Sequence, residues 1–275
     1  MLDRYDIEHE LGTGARGAVY RGREKYTGER VAIKLTPLGA SHVGTLSGRA
    51  AHNVGHLNHP HLVRVRESGH VGQLAYAVLD LAEGVDLSQH AASGCLLPAR
   101  TVLSAMSRIA CALHFLHQHG RFHGDVKPAN IVFDRQRESV KLIDFDAESN
   151  SIPLGSLAYM APERLKGAPN SAASDEFSFA VTLYELLCGQ LPFGRASLPE
   201  LVWRTAHDCP AQIDRHRPEL PRSVVVAIEK ALSKIPGHRF GSMQAFSDAL
   251  IREHSINARC SLNADVLHRR GAAHD

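Results

Sequence analysis

The sequence predicts an α+β protein with two lobes, a small lobe rich in β-strands followed by a larger helical lobe. Over the first 80 residues, short apolar or alternating segments are separated by turns rich in Gly, His and Asn, which is typical of strands. After Asp86 the apolar residues recur at three- and four-residue steps, which is typical of helices. Because the two kinds of element are segregated, we place the strand-rich lobe at residues 1–81, the helical lobe at 82–256 and a tail at 257–275.

Five strands are predicted in the small lobe, each bounded by turn residues. They lie at Tyr5–Gly12, Ala18–Tyr26, Arg30–Leu35, Leu62–Ser68 and Leu74–Leu79.

The large lobe begins with an amphipathic helix whose apolar residues recur at helical spacing. These residues are Val102, Leu103, Met106, Ile109, Leu113 and Leu116. Gly120 follows them and can end the helix in the left-handed conformation. A second helix begins near Ser174–Asp175 and stops at Gly189. Three further helices are predicted at Pro199–Ala206, Arg222–Leu232 and Met243–Arg252.

The 275-residue chain has an ordinary globular composition, with 44% hydrophobic and 22% charged residues. Its formal net charge of +2 does not indicate nucleic acid as a partner, and none is expected. The five cysteines include no C-x-x-C pair, which favours free thiols in a reducing cytoplasm. No apolar run approaches the ~18 residues that a membrane span needs. We therefore expect a cytoplasmic chain without a membrane segment.

A glycine-rich segment joins the first two predicted strands. It reads Leu11-Gly12-Thr13-Gly14-Ala15-Arg16-Gly17-Ala18-Val19, a G-x-G-x-x-G-x-V pattern. Glycine lets the backbone approach a polyphosphate closely, although a tight hairpin explains these glycines equally well. Because the segment leads into a strand rather than a helix, it does not favour a dinucleotide-binding fold. The third strand ends in Val31-Ala32-Ile33-Lys34, whose lysine either serves a ligand or extends to the surface.

Two later segments carry acidic and amide side chains at a distinctive spacing. The first reads His123-Gly124-Asp125-Val126-Lys127-Pro128-Ala129-Asn130-Ile131-Val132, and the second is Asp144-Phe145-Asp146. They resemble the H-R-D-x-x-x-x-N catalytic loop and the D-F-G motif of eukaryotic-type (Hanks-type) serine/threonine protein kinases. The segment that ends in Ala161-Pro162-Glu163, together with Asp175 and Arg239, resembles further motifs of the family. The resemblance covers residues 5–253, implies the two-lobed protein-kinase-like fold and favours a bacterial member.

The resemblance implies a role for each matched polar residue in phosphoryl transfer, which depends on positioning and charge neutralisation. Asp125 would orient the proton of the attacking hydroxyl, and Lys127 would stabilise charge on the transferred phosphoryl group. Asn130 and Asp144 would hold Mg²⁺ or Mn²⁺ against the phosphates. Arg239 would pair with Glu163.

The resemblance also implies an ATP site at the junction of the lobes. Leu11, Gly12, Thr13, Gly14 and Gly17 would cover the phosphates. Lys34 would hold the α- and β-phosphates. The adenine would lie between Val19, Ala32 and Val132. Backbone groups near Asp80 and Ala82 would read the adenine edge, and Asp86 would meet the ribose.

Two features indicate the class of substrate. Lysine two positions after Asp125 resembles the branch of the family that acts on Ser and Thr. The segment ending in Glu163 favours a protein over a small-molecule substrate. We therefore expect a protein with a Ser or Thr hydroxyl as the substrate, and transfer to a small-molecule hydroxyl is a minor alternative.

The main departure from the family lies in the helix that normally supplies a glutamate to the strand lysine. Alignment on His59-Pro60 places Ala50 at that position, and no Asp or Glu occurs from Arg30 through Arg66. Three glycines weaken the segment as a helix, by roughly 1 kcal/mol each relative to Ala. They are Gly44, Gly48 and Gly55. The helix is therefore expected to be short, mobile or ordered by an activating partner or a dimer.

Two milder departures concern single positions. Gly124 replaces the arginine that normally precedes the catalytic Asp and pairs with a phosphate on the activation loop. Asp146 replaces the glycine of D-F-G.

These departures leave two functions open. One is an active Ser/Thr protein kinase with an atypical small lobe, since Lys34, Asp125, Lys127, Asn130 and Asp144 are all retained. The other is a nucleotide-binding pseudokinase that acts as a scaffold or regulatory module. In both, Lys34 without its glutamate can still contact phosphate or Asp144.

Overall fold

The computed structural model describes residues 2–14, 17–38, 57–144 and 154–251. Ala50 and its neighbours, Asp146 and the predicted tail at 257–275 lie outside the described residues. Within them, a β-sheet occupies the N-terminal part and helices occupy most of the C-terminal part, so the predicted two-lobed α+β class is confirmed.

The N-terminal sheet has five antiparallel strands in the order β1-β2-β3-β5-β4. Their bounds are β1 Tyr5–Gly14, β2 Gly17–Glu24, β3 Arg30–Pro37, β4 Val65–Val71 and β5 Leu74–Asp80. Burial alternates over the first half of β3, where Val31 and Ile33 are buried. In β5, by contrast, the four consecutive residues from Ala75 to Val78 are all buried, so this strand is covered on both faces. The small core beneath it consists of Tyr5, Val31, Ile33, Tyr76 and Val78.

The fourth strand begins later than the sequence predicts. It runs from Val65 to Val71 rather than over Leu62–Ser68. Leu62 instead forms a parallel bridge with Leu142 of the helical lobe. Val63 N donates to Leu142 O at 3.0 Å, and Leu142 N donates to His61 O at 2.8 Å. Residues 61–63 therefore pair with β8 of the helical lobe instead of joining the N-terminal sheet, although their apolar pattern is typical of a strand.

The helical lobe contains six described helices. Their bounds are α1 Ala99–Gln118, α2 Pro162–Leu165, α3 Ala172–Cys188, α4 Leu198–His207, α5 Arg222–Ala231 and α6 over residues 243–251. A second sheet of three short strands has the order β6-β7-β8. These strands are β6 Val85–Asp86, β7 Ile131–Asp134 and β8 Ser139–Leu142. They support the polar loops that the sequence identifies as catalytic.

Helix α3 is the centre of the lobe. From Ser174 to Cys188 every residue is buried, which is typical of a helix surrounded by protein on all sides. It begins at Ala172, two residues before the predicted start, because Ser171 and Ser174 form a reciprocal capping box. It ends at Gly189 in the left-handed conformation (φ 74°), as predicted.

No described helix combines the length and the apolar character that crossing a bilayer requires.

Candidate active site

The side chains of the predicted catalytic loop converge on the carboxylate of Asp125. Lys127 Nζ lies 2.9 Å from Asp125 Oδ2. Asn130 Nδ2 donates to the same oxygen at 3.1 Å and to the Asp125 backbone carbonyl at 2.7 Å. The 3₁₀ turn Pro128–Asn130 brings the amide back toward the aspartate. Asp125 Oδ1 is buried without a hydrogen-bond partner in the described part of the chain, so it can receive a ligand.

The local charges keep Asp125 ionised. Burial works against ionisation, but the positive charge of Lys127 and hydrogen bonds from Ser156 and Lys127 outweigh it. The pKa of the Asp125 carboxyl is therefore lowered from its ordinary value of 3.8. Lys127 Nζ also donates to Ser156 Oγ at 2.7 Å, which connects the loop to the segment before α2.

The backbone of the loop is held by Asp175 in the first turn of α3. His123 N and Gly124 N each donate to its carboxylate at 2.8 Å, and His117 Nε2 lies 2.9 Å from it. Asp175 is 1% exposed, so this acceptor is shielded from water. The sequence motif identifies Asp175 only as the start of a helix. Two adjacent acids, Asp175 and Glu176, near the start of a helix whose later residues are mostly apolar are the signal that points to this second role.

His123 connects the loop to Asp144. Its Nδ1 accepts from Asp125 N at 3.2 Å, and its Nε2 lies 3.0 Å from Ile143 O. Ile143 N donates in turn to Asn130 O at 2.9 Å. The backbone next to Asp144 is therefore fixed against both ends of the catalytic loop.

Lys34 and Asp144 form an ion pair between the two lobes. Lys34 Nζ donates to Asp144 Oδ1, and the lysine side chain is 13% exposed against 31% for the aspartate. Asp144 has φ 59°, a left-handed conformation that is uncommon for residues other than glycine and typical of constrained functional positions. The structure thus shows the contact between Lys34 and Asp144 that the sequence interpretation allows.

The three glycines of the hairpin differ in what surrounds them. A Cβ on Gly17 would lie 1.9 Å from Leu35 O, and its φ is 125°, so packing against β3 requires a glycine there. At Gly12 and Gly14, by contrast, an added Cβ would meet no described atom within 4 Å. The hairpin explanation accounts for Gly17 alone. The open space at the other two positions favours close approach of a ligand to the backbone.

The predicted adenine-binding residues lie on neighbouring strands. Val19 pairs with Lys34 across β2 and β3, and Ala32 pairs with Leu79 across β3 and β5. Val132 pairs with Asp86 across β6 and β7. The side chains of Val19, Ala32 and Val132 are all partly accessible, as a binding surface requires.

Two predicted nucleotide contacts and one hairpin residue have side chains engaged elsewhere. Asp80 Oδ1 accepts from Arg66 Nε at 2.6 Å, so only its backbone is available, as the sequence interpretation assumed. Asp86 Oδ1 caps the following 3₁₀ turn by accepting from Ser88 N at 3.0 Å. Thr13 Oγ1 donates to Glu10 of the same hairpin. Leu11 is exposed, and Ala82 is partly buried between the lobes.

A buried ion pair anchors the segment that follows Ser156. Arg239 Nη1 and Nη2 donate to the two carboxylate oxygens of Glu163 at 2.6 and 2.9 Å, as the sequence predicts. Tyr159 Oη donates to Glu185 Oε2 at 2.6 Å. Burial, reinforced by that carboxylate, raises the pKa of Tyr159 far above its usual range. This segment therefore forms a fixed wall beside Asp125.

Asn130 and Asp144 suit a hard divalent cation. Because Asn130 Nδ2 donates to Asp125, its carboxamide oxygen is the atom left for a metal. In the described ranges, no cluster of three or more His, Cys, Asp or Glu could hold a metal by itself. One amide and one carboxylate, completed by phosphate oxygens, form the kind of set that Mg²⁺ or Mn²⁺ accepts. The residues present therefore fit the ion.

Comparison with known families gives one extensive match. Residues 5–251 match the model described as the protein kinase domain. Among solved structures, the chain is similar to a crystal structure of Rad53 1–466 in complex with AMP-PNP, with a TM-score of 0.78 and 23% identity. The match covers 90% of this chain and 64% of that one, and it supports the fold.

Curated relatives include several bacterial proteins. The chain is 29% identical to serine/threonine-protein kinase PknB of Mycolicibacterium smegmatis, over 94% of this chain and 44% of that protein. It is 28% identical to serine/threonine-protein kinase PrkC of Bacillus subtilis, over 86% of this chain and 38% of that protein. The chain is 30% identical to serine/threonine-protein kinase PknB of Mycobacterium tuberculosis H37Rv, over 93% of this chain and 44% of that protein. The chain thus spans less than half the length of these relatives.

Proposed function

Because the chain belongs to the protein kinase domain family, we propose that it transfers the γ-phosphoryl group of ATP to a Ser or Thr hydroxyl of a protein. The observation that carries this proposal is the state of Asp125. Its carboxylate is ionised and held by Lys127 and Asn130, and its Oδ1 has no hydrogen-bond partner in the described part of the chain.

The chain's own residues divide the work of the reaction. Asp125 Oδ1 accepts the hydrogen bond of the attacking hydroxyl and orients its oxygen toward the γ-phosphorus. Lys127, 2.9 Å from the other carboxylate oxygen, lies where charge builds up on the transferred group. The wall that contains Ser156 and Tyr159 positions the substrate chain. A divalent ion held by Asn130 and Asp144 supplies charge neutralisation at the phosphates when it is bound.

The nucleotide occupies the cleft between the N-terminal sheet and the catalytic loop. Gly12 and Gly14 let the hairpin backbone approach the phosphates, and Lys34 donates to them. Val19, Ala32 and Val132 enclose the adenine, while backbone groups of Asp80 and Ala82 read its edge. Asp86 keeps one carboxylate oxygen for the ribose while the other caps the next turn.

The cellular setting and the boundaries of the lobes are also proposals. We propose a cytoplasmic setting, because the reaction needs cytoplasmic ATP and the described cysteines are free. We place the lobe boundary at residues 81 and 82, next to the end of β5 at Asp80. The tail at 257–275 stays a prediction.

A second candidate function is that of a nucleotide-binding pseudokinase. The observation that favours it is Ala50 in place of the glutamate, within a stretch free of acids. Lys34 pairs with Asp144 in the structure, and this pair must rearrange or share its donors when phosphate binds. In a pseudokinase, ATP would stabilise the protein without turnover. In an active kinase, a partner or a second copy would instead order the helix and supply an acidic group to Lys34.

One assay separates the two candidates. Wild-type protein, Asp125→Asn and Lys34→Met are incubated with labelled ATP, Mg²⁺ and a basic protein substrate, alongside Asp248→Asn as a surface control. For a kinase, Asp125→Asn lowers kcat by about 10²–10⁴-fold and leaves nucleotide affinity nearly unchanged. Lys34→Met raises the KM for ATP. Equal label transfer by wild type and Asp125→Asn contradicts the proposal, and ATP-dependent stabilisation without any transfer supports the pseudokinase.

A further inference from the structure

A small cavity lies directly behind the catalytic loop. Gly124, Asp125, Asn170 and Asp175 line it, together with Arg164 of α2. Gly124 is in the left-handed conformation (φ 76°), and a Cβ there would lie 2.5 Å from Asn170 Nδ2. Gly124 thus leaves this space unfilled, and the space has room for about one water molecule.

Arg164 is an unusual occupant of this location. It is 6% exposed, and its Nη1 donates to Ala168 O at 2.5 Å. No carboxylate of the described ranges lies within 4.0 Å of its guanidinium, unlike Arg239 on the same side of the lobe. Burial lowers the pKa of Arg164, opposed by the negative charges of Asp175 and Glu163. A buried cation is costly unless polar groups surround it, and Arg164 lines a cavity whose other walls carry such groups, so acceptors for its remaining N–H groups are expected there.

Two buried oxygens of the cavity lack hydrogen-bond partners within the described residues, Asp125 Oδ1 and Asn170 Oδ1. The proposed reaction accounts for the first, because the substrate hydroxyl meets it. Nothing in the reaction accounts for Asn170 Oδ1. A buried acceptor without a partner destabilises the folded state, so a donor is expected there.

We propose that Arg164 is a positioning residue for the catalytic loop, acting through one ordered water on Asn170 Oδ1 and through its charge on Asp175. Asp175 accepts the N–H groups of His123 and Gly124, and Asn170 packs against the Gly124 backbone. Arg164 therefore stabilises both supports of the turn that carries Asp125. The inference rests on the proposed phosphoryl transfer for its catalytic consequence.

The test compares Arg164→Met, Arg164→Lys, Arg164→Gln and Arg164→Ala with the surface control Arg204→Met in the full chain. Arg204 is a suitable control because it forms an exposed pair with Glu200 on α4. We expect Arg164→Met to lower kcat about tenfold or more, as for loss of a charged hydrogen bond, with the KM for ATP nearly unchanged. Arg164→Lys keeps most of the activity, and millimolar guanidinium partly restores Arg164→Ala. Equal losses in the Met and Lys variants, or no loss in the Met variant, overturn the proposal.

A readout that needs no catalysis separates this inference from the proposed function. Amide hydrogen exchange at Gly124 should be faster in Arg164→Gln than in wild type and unchanged in Arg204→Met. A high-resolution crystal structure of the wild type should show a water bonded to Asn170 Oδ1. If wild type transfers no phosphate but both results hold, the proposed function fails and the positioning role stands. Unchanged exchange at Gly124, or a cavity without water, overturns the inference even in an active enzyme.

Discussion

The catalytic loop and the glycine-rich hairpin contribute to the same site with very different support. The loop rests on the buried helix α3, where Asp175 accepts two of its N–H groups and Thr182 Oγ1 donates to Val126 O at 3.2 Å. The hairpin belongs to β1 and β2 at the edge of the N-terminal sheet, and most of β1 is exposed. The core beneath that sheet is small, whereas the loop lies on the large core of the helical lobe.

This difference bears on how the two halves would serve the proposed reaction. The catalytic loop, which would orient the hydroxyl, is fixed by protein contacts alone, and this lowers the entropy cost of reaching a reactive geometry. The hairpin, which would hold the nucleotide, has few buried contacts, and such regions open and close more easily. Bound ATP is therefore expected to order the hairpin more than the loop.

The largest change in the free energy of unfolding is expected from a substitution in the buried part of the helical lobe. Arg239→Met leaves Glu163 without its two hydrogen bonds and should lower the free energy of unfolding by about 3–5 kcal/mol. Urea unfolding measures the change. The matched control is Arg137→Met, since the Arg137 side chain is 68% exposed and Asp134 keeps the backbone N–H groups of Gln136 and Arg137 when the pair is lost. Similar losses in both variants would contradict the rigid support assigned to this lobe.

A smaller change in the free energy of unfolding is expected in the hairpin, where one glycine is needed for packing and another has open space around it. Gly17→Ala places a methyl group against Leu35 O and should destabilise the protein by about 1–3 kcal/mol. Gly12→Ala has open space and should leave stability nearly unchanged while weakening ATP binding. Urea unfolding and nucleotide titration on both variants test this. If Gly17→Ala leaves stability unchanged while Gly12→Ala lowers it, the assignment of Gly17 to packing and Gly12 to ATP binding is wrong.

The smallest effect is a pH dependence of stability, expected at the junction between the lobes, where His59 and His61 are half-buried. Their rings lie 5.6 Å apart, and His59 also contacts Phe115 of α1, which in turn contacts His119. Burial lowers the pKa of His59, assisted by the positive charges of His61 and Lys141. Burial likewise lowers the pKa of His61, with Arg108 and Lys141 adding to it and a hydrogen bond to Val140 O opposing it.

The sign of the pH effect follows from these shifts. Both folded-state pKa values lie below the ordinary 6.5, so near that pH the unfolded chain binds more protons than the folded one. The free energy of unfolding should therefore fall as the pH drops through 6.5. The double variant His59→Gln/His61→Gln should show a weaker dependence, and His70→Gln, on the exposed end of β4, should behave like wild type. An unchanged pH profile in the double variant contradicts the prediction.

The sequence reveals those parts of the fold that depend on local pattern. Apolar spacing predicts the strands and helices, and Gly189 marks the end of α3 correctly. The motifs identify Asp125, Lys127 and Asn130, which lie close together along the chain and meet in space. Long-range packing is harder to predict. Leu62 looks like a strand residue until its burial against Leu142 is known.

The residues that pack around the site are equally hard to predict from local sequence patterns. The difference between Gly12 and Gly17 appears only when the neighbouring strand is in place. Arg164 follows Glu163 in a short segment where a charged residue would be expected on the surface, and its burial depends on the space behind Gly124. Such features arise from contacts between distant segments, which no local pattern encodes.

The bridge between Leu62 and Leu142 has a mechanical consequence. The chain that leads into the N-terminal sheet is pinned to β8 at this point, so a rotation of one lobe against the other has its pivot there. Asp144 lies two residues beyond Leu142 and so stays close to that pivot. The β1–β2 hairpin lies across the sheet from β4, the strand that follows Leu62, and would move much farther in the same rotation. On the proposed function, such a rotation would open the cleft for nucleotide exchange while Asp144 hardly moves relative to the catalytic loop.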